Sequence, residues 1–187
     1  MSTGQNSQVI VLNGGSSSGK SSIASALQEI LPGMWLTFGV DTFIGALPAR
    51  GDSPRAGITY EQDGTITFSA EHRALERSWY TGLSGMARAG ARLILDEVLL
   101  SGGVGQERMQ STFSEVKLSW VGVRCEPDVA ASREVRRLDR VEGMARQQAL
   151  SVHGGVVYDA EVDTTNRSTE ECARDIAGQL SLKALAR

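Results

Sequence analysis

The residues best suited to chemistry form the run Gly-Gly-Ser-Ser-Ser-Gly-Lys-Ser at positions 14–21, which fits G-x-x-x-x-G-K-[ST] in full. Glycines let the backbone curl so that successive N–H groups point into one concavity, which suits phosphate oxygens. Lys20 would bring a mobile positive charge to the β- and γ-phosphates of ATP, and the Ser21 hydroxyl could bind Mg²⁺. The predicted nucleotide-binding residues are Gly14, Gly15, Ser16, Ser17, Ser18, Gly19, Lys20, Ser21 and Ser22.

The flanking sequence predicts the two elements that such a loop requires. Residues 9–12 are apolar, and three of the four are β-branched, which indicates a short buried strand. After the loop, apolar residues recur at helical spacing and predict a helix over residues 19–31, which Pro32 and Gly33 should end. A strand before the loop and a helix after it favour a phosphate-binding loop over a chance Gly/Ser-rich match.

Two acidic positions follow later predicted strands. Residues 34–40 predict a second strand ending at Asp41, and residues 92–95 a third, closed by Asp96 and Glu97. Carboxylates at the C-terminal ends of parallel strands face the ligand crevice. Asp41 is therefore predicted to be a general base or a metal or substrate ligand; the alternative is a helix N-cap. Asp96 directly ends its strand, so it is favoured over Glu97 to hold Mg²⁺ with Ser21; the alternative is a capping role.

An insertion separates these two acids. Residues 58–60 and 65–68 alternate apolar with polar around an Asp-Gly turn, which predicts a β-hairpin. We expect the insertion, at about residues 48–69, to cover the acceptor side of the cleft; a decorative edge hairpin is the alternative. Ser69 is predicted to cap a helix that runs to about residue 89, before Gly90.

The last third of the chain predicts an arginine-rich lid at about residues 132–150. A fourth strand, residues 118–125, precedes a helix that begins at Pro127 and carries arginines on one face. Such arginines could neutralise charge in phosphoryl transfer; a solvated basic face paired with acids is the alternative. The candidates are Arg133, Arg136 and Arg137. A fifth strand, residues 158–162, leads to the polar turn Asp163-Thr164-Thr165, which could contact adenine or cap the next helix. Thr165 is the nucleotide-binding candidate in this turn.

Composition limits the remaining possibilities. The 187 residues suit one domain, and a net charge of −3 argues against a general nucleic-acid binder. No signal peptide or membrane span is evident, which predicts a cytoplasmic protein; a homo-oligomer stays open. Cys125 and Cys172 are expected to be buried free thiols.

The order of elements predicts an α/β, three-layer P-loop NTPase fold: a central five-stranded parallel sheet with helices on both faces, as in nucleoside monophosphate kinases.

Several longer stretches narrow the relationship. They are Phe38-Gly39-Val40-Asp41, Trp120-Val121-Gly122-Val123-Arg124-Cys125, Gln147-Gln148-Ala149 and Tyr158-Asp159-Ala160-Glu161-Val162-Asp163-Thr164-Thr165. With the phosphate loop, they make the chain similar to chloramphenicol phosphotransferase from about residue 9 to residue 177.

This resemblance implies an ATP-dependent O-phosphotransferase that inactivates chloramphenicol at its primary hydroxyl and so confers antibiotic resistance. It also implies that Asp41 is the base. The chain departs from the family pattern at Glu97, where the family has Asp, and matches it least over residues 48–68. A small-molecule hydroxyl acceptor is therefore expected. A kinase for another small alcohol and a nucleotide-binding regulatory module are the alternatives.

Overall fold

Five parallel strands form the central sheet of the computed structural model, which describes residues 8–48, 54–60, 66–135 and 144–182. The sheet order is β2-β5-β1-β6-β7, and a separate antiparallel pair, β3-β4, forms the expected hairpin. The predicted five-stranded parallel sheet is confirmed. The strands are β1 (Val9–Asn13), β2 (Trp35–Gly39), β3 (Ile58–Tyr60), β4 (Ile66–Phe68), β5 (Arg92–Glu97), β6 (Leu118–Arg124) and β7 (Ala160–Asp163).

Helices cover both faces of this sheet, because successive side chains of a strand point to opposite sides. Ile10 of β1 packs in one apolar cluster with residues of α1 and α7, whereas Val11 packs in another with residues of α3 and α4. The three-layer architecture is therefore also confirmed. The helices are α1 (Lys20–Ile30), α2 (Val40–Ala46), α3 (Ala70–Arg88), α4 (Gly103–Thr112), α5 (Pro127–Glu134), α6 (Met144–Ser151) and α7 (Thr169–Gln179).

Local signals set several helix boundaries. The Ser69 side chain accepts a hydrogen bond from the His72 N–H at the start of α3. Ser168 and Glu171 exchange both bonds of a capping box at the start of α7. Gly90 follows α3 with φ of 99°, a backbone conformation that favours glycine.

Cys125 and Cys172 are free and buried, as expected. Within the described ranges, no helix is both long and apolar enough to cross a membrane.

The second strand ends earlier than the sequence predicted. It stops at Gly39, and α2 begins at Val40, so Asp41 lies in the first turn of a helix rather than at a strand end. The N-cap alternative for Asp41 is also wrong, because Gly39 occupies that position. A Cβ at residue 39 would clash with the Asp96 carbonyl oxygen, so the close packing of β2 on β5 requires glycine here.

Two later elements also differ from expectation. The fifth sheet strand begins at Ala160 rather than at Tyr158. Helix α6 was not predicted as a separate element, since its residues were assigned to the lid. Its short sequence, Met-Ala-Arg-Gln-Gln-Ala-Leu-Ser, has too few large apolar residues to give a strong helical pattern.

Candidate active site

Strand register brings the predicted site together at the C-terminal edge of the sheet. Asp96 of β5 lies opposite Leu12 of β1 on one side and opposite Gly39 of β2 on the other. The phosphate loop follows β1 directly, and Asp41 follows β2 by two residues. Because all three strands run parallel, the loop, Asp41 and Asp96 meet at one edge.

The loop adopts the curled backbone that its composition predicts. A Cβ at residue 14 would clash with the Val123 carbonyl oxygen, so Gly14 lets the loop pass close to β6. Ser17 has φ of 57° and Gly19 has φ of 93°, and these left-handed residues turn the chain into α1. Alternation of this kind points successive N–H groups into one concavity that suits an anion.

Lys20 lies buried within this concavity, with 6% of its surface exposed. Its Nζ donates to the Gly15 carbonyl oxygen at 2.8 Å and lies 3.7 Å from Asp96 Oδ1. The ammonium group is therefore held between the loop and β5, facing the position of the predicted phosphates.

The Ser21 hydroxyl and the Asp96 carboxylate fit a Mg²⁺ ion. The hydroxyl donates to Asp96 Oδ2 at 2.6 Å, so two hard oxygen donors already lie side by side. Neighbouring oxygens on an octahedral Mg²⁺ ion lie about 3 Å apart, so the pair needs to open by only a few tenths of an ångström. In the part of the chain that is described, no three His, Cys, Asp or Glu residues could hold a metal together. Phosphate oxygens and water would complete the shell.

A cavity of about 490 Å³ opens beside the loop. The cavity is lined by Lys20, Ser21, Asp41 and Asp96. Asp41 is exposed. The hairpin contributes part of the wall; that it covers the acceptor side of the cleft stays a prediction. Apolar and aromatic lining residues include Phe43, Ile44, Ile58, Ile66, Phe68 and His72.

A Tyr–Glu pair that the sequence did not predict also lines this cavity. The Tyr80 hydroxyl donates to Glu97 Oε2 at 2.8 Å, and Glu97 is 2% exposed. Burial raises the pKa of Glu97 to about 8; the Tyr80 bond opposes this shift, and the neighbouring Asp96 carboxylate adds to it. Burial, followed by the nearby Glu97, raises the pKa of Tyr80 well above its ordinary value. Glu97 is therefore mostly protonated at neutral pH.

A second cavity, of about 400 Å³, lies beside α1 and the start of α7. Arg133 lines this second cavity. It is not among the described residues that line the first cavity. Its guanidinium donates to the Thr164 carbonyl oxygen at 2.7 Å. Arg133 therefore lies apart from Asp41. Arg136 and Arg137 fall outside the described residues.

The predicted turn 163–165 does not cap the next helix, because Ser168 is the N-cap of α7. The contact of Thr165 with adenine stays a prediction, and it is Thr164 that contacts the phosphate loop. The Thr164 hydroxyl donates to the Ser18 carbonyl oxygen at 2.8 Å, and Thr164 lines the second cavity. The Thr165 hydroxyl instead accepts from the Glu126 N–H at 2.9 Å, at the start of α5. Either threonine follows β7 closely, so no local pattern separates them.

Two amide side chains to which the sequence analysis gave no role anchor the loop and the end of β1 just before it. Asn13 accepts from the Leu99 N–H at 3.0 Å and donates to the Val152 carbonyl oxygen at 2.9 Å. Gln148 of α6 accepts from the Ser16 N–H at 2.9 Å through its Oε1 atom. Part of the segment predicted to be a lid is thus packed directly on the loop.

Comparison with known proteins assigns the chain to a family. The family model for the chloramphenicol phosphotransferase-like protein matches residues 7–181. The chain belongs to this family. A Mycobacterium tuberculosis protein named "Putative O-phosphotransferase Rv2636" is 31% identical over 181 residues, covering 90% of this chain and 80% of that protein. The resemblance inferred from the sequence motifs is confirmed.

Solved structures of two kinases and of a tunicamycin resistance protein share the fold. An unliganded sugar kinase from Janibacter sp. HTCC2649 has a TM-score of 0.67 at 17% identity, covering 94% of this chain and 95% of its own. The tunicamycin resistance protein of Deinococcus radiodurans has a TM-score of 0.66 at 20% identity, covering 97% and 100%. Shikimate kinase from Aquifex aeolicus has a TM-score of 0.57 at 19% identity, covering 92% and 96%. Family and fold together make the protein a phosphotransferase of the kinase type.

Proposed function

We propose that the protein transfers the γ-phosphoryl group of ATP to the primary hydroxyl of chloramphenicol or a similar small molecule, and so confers antibiotic resistance. The observation that carries this proposal is that Lys20, Ser21, Asp96 and Asp41 line one cavity. A charge suited to phosphate, a pair of oxygens suited to Mg²⁺ and an accessible carboxylate then face the same space. Membership of the family supports chloramphenicol as the first acceptor to test.

The nucleotide would lie along the phosphate loop. Residues 14–22 would bind its phosphates, and the cavity that contains Arg133 and Thr164 would take the nucleoside, with Thr165 next to it. When bound at Ser21 and Asp96, Mg²⁺ would supply positive charge beside the β- and γ-phosphates. Lys20 contributes a second positive charge from the protein itself.

The acceptor would occupy the larger cavity, with its hydroxyl next to Asp41. The hydroxyl oxygen attacks the γ-phosphorus, the bond to the β,γ-bridging oxygen breaks, ADP leaves, and the hydroxyl proton passes to the Asp41 carboxylate. The transition state of phosphoryl transfer is loose, so Asp41 contributes chiefly by aiming the hydroxyl and by accepting its proton late. Arg136 and Arg137 are proposed to balance charge on the transferring group.

The cavity walls suit a drug-sized acceptor with a ring. A volume of about 490 Å³ lies within the range of about 300–1,000 Å³ that such ligands occupy. Phe43 and Phe68 each contact the His72 ring, at centroid distances of 5.3 and 4.8 Å, so three rings form one wall. An aromatic acceptor could pack against this wall while its hydroxyl reaches Asp41.

Mass spectrometry tests the proposal directly. Chloramphenicol incubated with the enzyme and Mg-ATP should gain one phosphoryl group. A panel of other hydroxylated acceptors, followed by ADP release, separates chloramphenicol from another small alcohol. Binding of ATP with no transfer to any acceptor would instead indicate a nucleotide-binding regulatory module.

Asp41→Asn tests the role of the carboxylate. We expect kcat to fall at least ~100-fold, because the amide cannot accept the proton, while ATP affinity changes less than about twofold. Asp128→Asn is the matched control, since Asp128 lies at the same position in the first turn of α5 and is exposed. Transfer by Asp41→Asn at the wild-type rate would remove Asp41 from the mechanism.

A further inference from the structure

Gln148 occupies a fixed position against the phosphate loop. Its Oε1 atom accepts from the Ser16 N–H at 2.9 Å, and the residue is 6% exposed. The α6 backbone reaches the loop as well, because a Cβ at Gly15 would lie 3.0 Å from the Ala149 nitrogen. Only glycine at position 15 admits so close an approach without a shift of the helix.

Contacts at both ends of α6 hold the side chain there. The Ala145 N–H donates to Glu134 Oε1 of α5 at 2.8 Å. Just beyond α6, the Val152 carbonyl oxygen accepts from Asn13 Nδ2 at the end of β1. Gln148 is thus positioned by a helix that is anchored to its neighbours, and its own hydrogen bond is not the sole restraint.

The chemistry of an amide determines which end of Gln148 faces the loop. A backbone N–H can donate only to the amide oxygen, so the Nε2 group with its two N–H donors is left over. No described residue accepts a hydrogen bond from Nε2. Gln148 also lines the larger cavity together with Lys20 and Asp96. The side chain therefore brings two unused donors to the wall of a cavity whose expected ligand is an anionic phosphoryl group.

We propose that Gln148 is a catalytic residue that donates through Nε2 to the terminal phosphoryl group of bound ATP, while its Oε1 holds the Ser16 N–H. The inference rests on the proposed binding of the triphosphate along the loop. A neutral donor complements Lys20, since it stabilises the γ-phosphoryl oxygens without adding a second buried cation. ADP lacks that phosphoryl group, so Gln148 would favour ATP over ADP.

Binding of two nucleotides separates this role from a purely structural one. Affinities for Mg-ADP and for the non-hydrolysable analogue Mg-AMPPNP are measured by titration calorimetry. Gln148→Glu keeps the oxygen that accepts from Ser16 but replaces the donors with a negative charge. We expect AMPPNP to bind at least ~tenfold more weakly and ADP to change less than about threefold, since a hydrogen bond to a charged group is lost.

Two further variants complete the experiment. Gln147→Glu is the matched control, because it adds the same charge at an exposed neighbouring position of α6, and its AMPPNP-to-ADP affinity ratio should equal that of the wild type. Gln148→Met removes both amide functions without adding charge and should also lower the ratio selectively. The ratio, measured on one preparation, is insensitive to any unfolded fraction, so a partly unstable variant still gives an answer.

The outcomes are distinct. Equal losses for both nucleotides, or no loss, in Gln148→Glu and Gln148→Met would overturn the proposal and leave Gln148 a structural clamp on the loop. A selective loss in Gln147→Glu of the same size would also overturn it, because the effect would then be long-range charge. Failure of the wild-type protein to bind either nucleotide would instead overturn the proposed function.

Discussion

Glu97 should make the stability of this protein depend on pH in a way that one substitution removes. Its carboxyl group is fully buried beside Tyr80, and burial raises its pKa from 4.5 to about 8. The unfolded chain releases the proton near pH 4.5, whereas the folded chain retains it up to about pH 8. Between these values the folded state binds more protons, so its stability falls as pH rises.

The size of the effect follows from the same two values. Stability falls by about 1.4 kcal/mol per pH unit in this window, which amounts to roughly 3.5 kcal/mol between pH 5 and pH 8. Glu97→Gln replaces the protonated carboxyl with a neutral group of the same shape that can still accept from the Tyr80 hydroxyl. We expect its free energy of unfolding to be close to that of the wild type at pH 5 and roughly 3.5 kcal/mol higher, relative to the wild type, at pH 8.

Urea unfolding at pH 5, 6, 7 and 8 measures this difference for the two proteins without nucleotide. Groups common to both proteins cancel in the comparison. Glu115→Gln serves as the control, because it removes a carboxylate from an exposed pair with Arg88, where the two atoms lie 3.0 Å apart. The difference in free energy of unfolding between Glu115→Gln and the wild type should stay nearly constant with pH. A difference between Glu97→Gln and the wild type that varies by less than ~0.5 kcal/mol from pH 5 to pH 8 would refute a buried, protonated Glu97.

The phosphate loop and the Ser21–Asp96 pair provide two more predictions. Lys20→Ala removes the buried ammonium group and should weaken AMPPNP binding at least ~tenfold by calorimetry; wild-type affinity would contradict the phosphate site. Asp96→Asn keeps the shape but loses the charge beside Ser21, so the Mg²⁺ concentration for half-maximal transfer should rise at least ~tenfold. An unchanged Mg²⁺ titration for Asp96→Asn would exclude Asp96 from the metal site.

Features that depend on neighbouring residues were predictable from the sequence. The strand, loop and helix around residues 9–31, the hairpin and the Ser69 cap all appear where the pattern placed them. Each depends on local hydrogen bonds, turn residues or a short hydrophobic period, which a linear pattern contains. The longer motifs also predicted the family to which the chain belongs, and the family match confirms that prediction.

Features that depend on distant parts of the chain were not predictable in this way. The position of Asp96 at the strand end correctly favoured it as the partner of Ser21, but nothing in the sequence indicated that Glu97 would meet Tyr80 of α3. The two neighbours diverge because successive residues of a strand point to opposite faces. Gln148 lies 132 positions from Ser16, and its short helix gives no strong pattern. The choice between Thr164 and Thr165 likewise depends on how β7 packs beside the loop.

The amino-acid sequence by itself determined that a phosphate-binding loop joins the first strand to the first helix in a chain of this family. Its residues carry that information locally, since backbone curvature, charge and helix start lie within a dozen positions. Only the tertiary structure decided that Glu97 is buried against a tyrosine and which amide touches the loop. These choices depend on strand register and on the docking of α3 and α6, where contacts between distant residues outweigh any local preference.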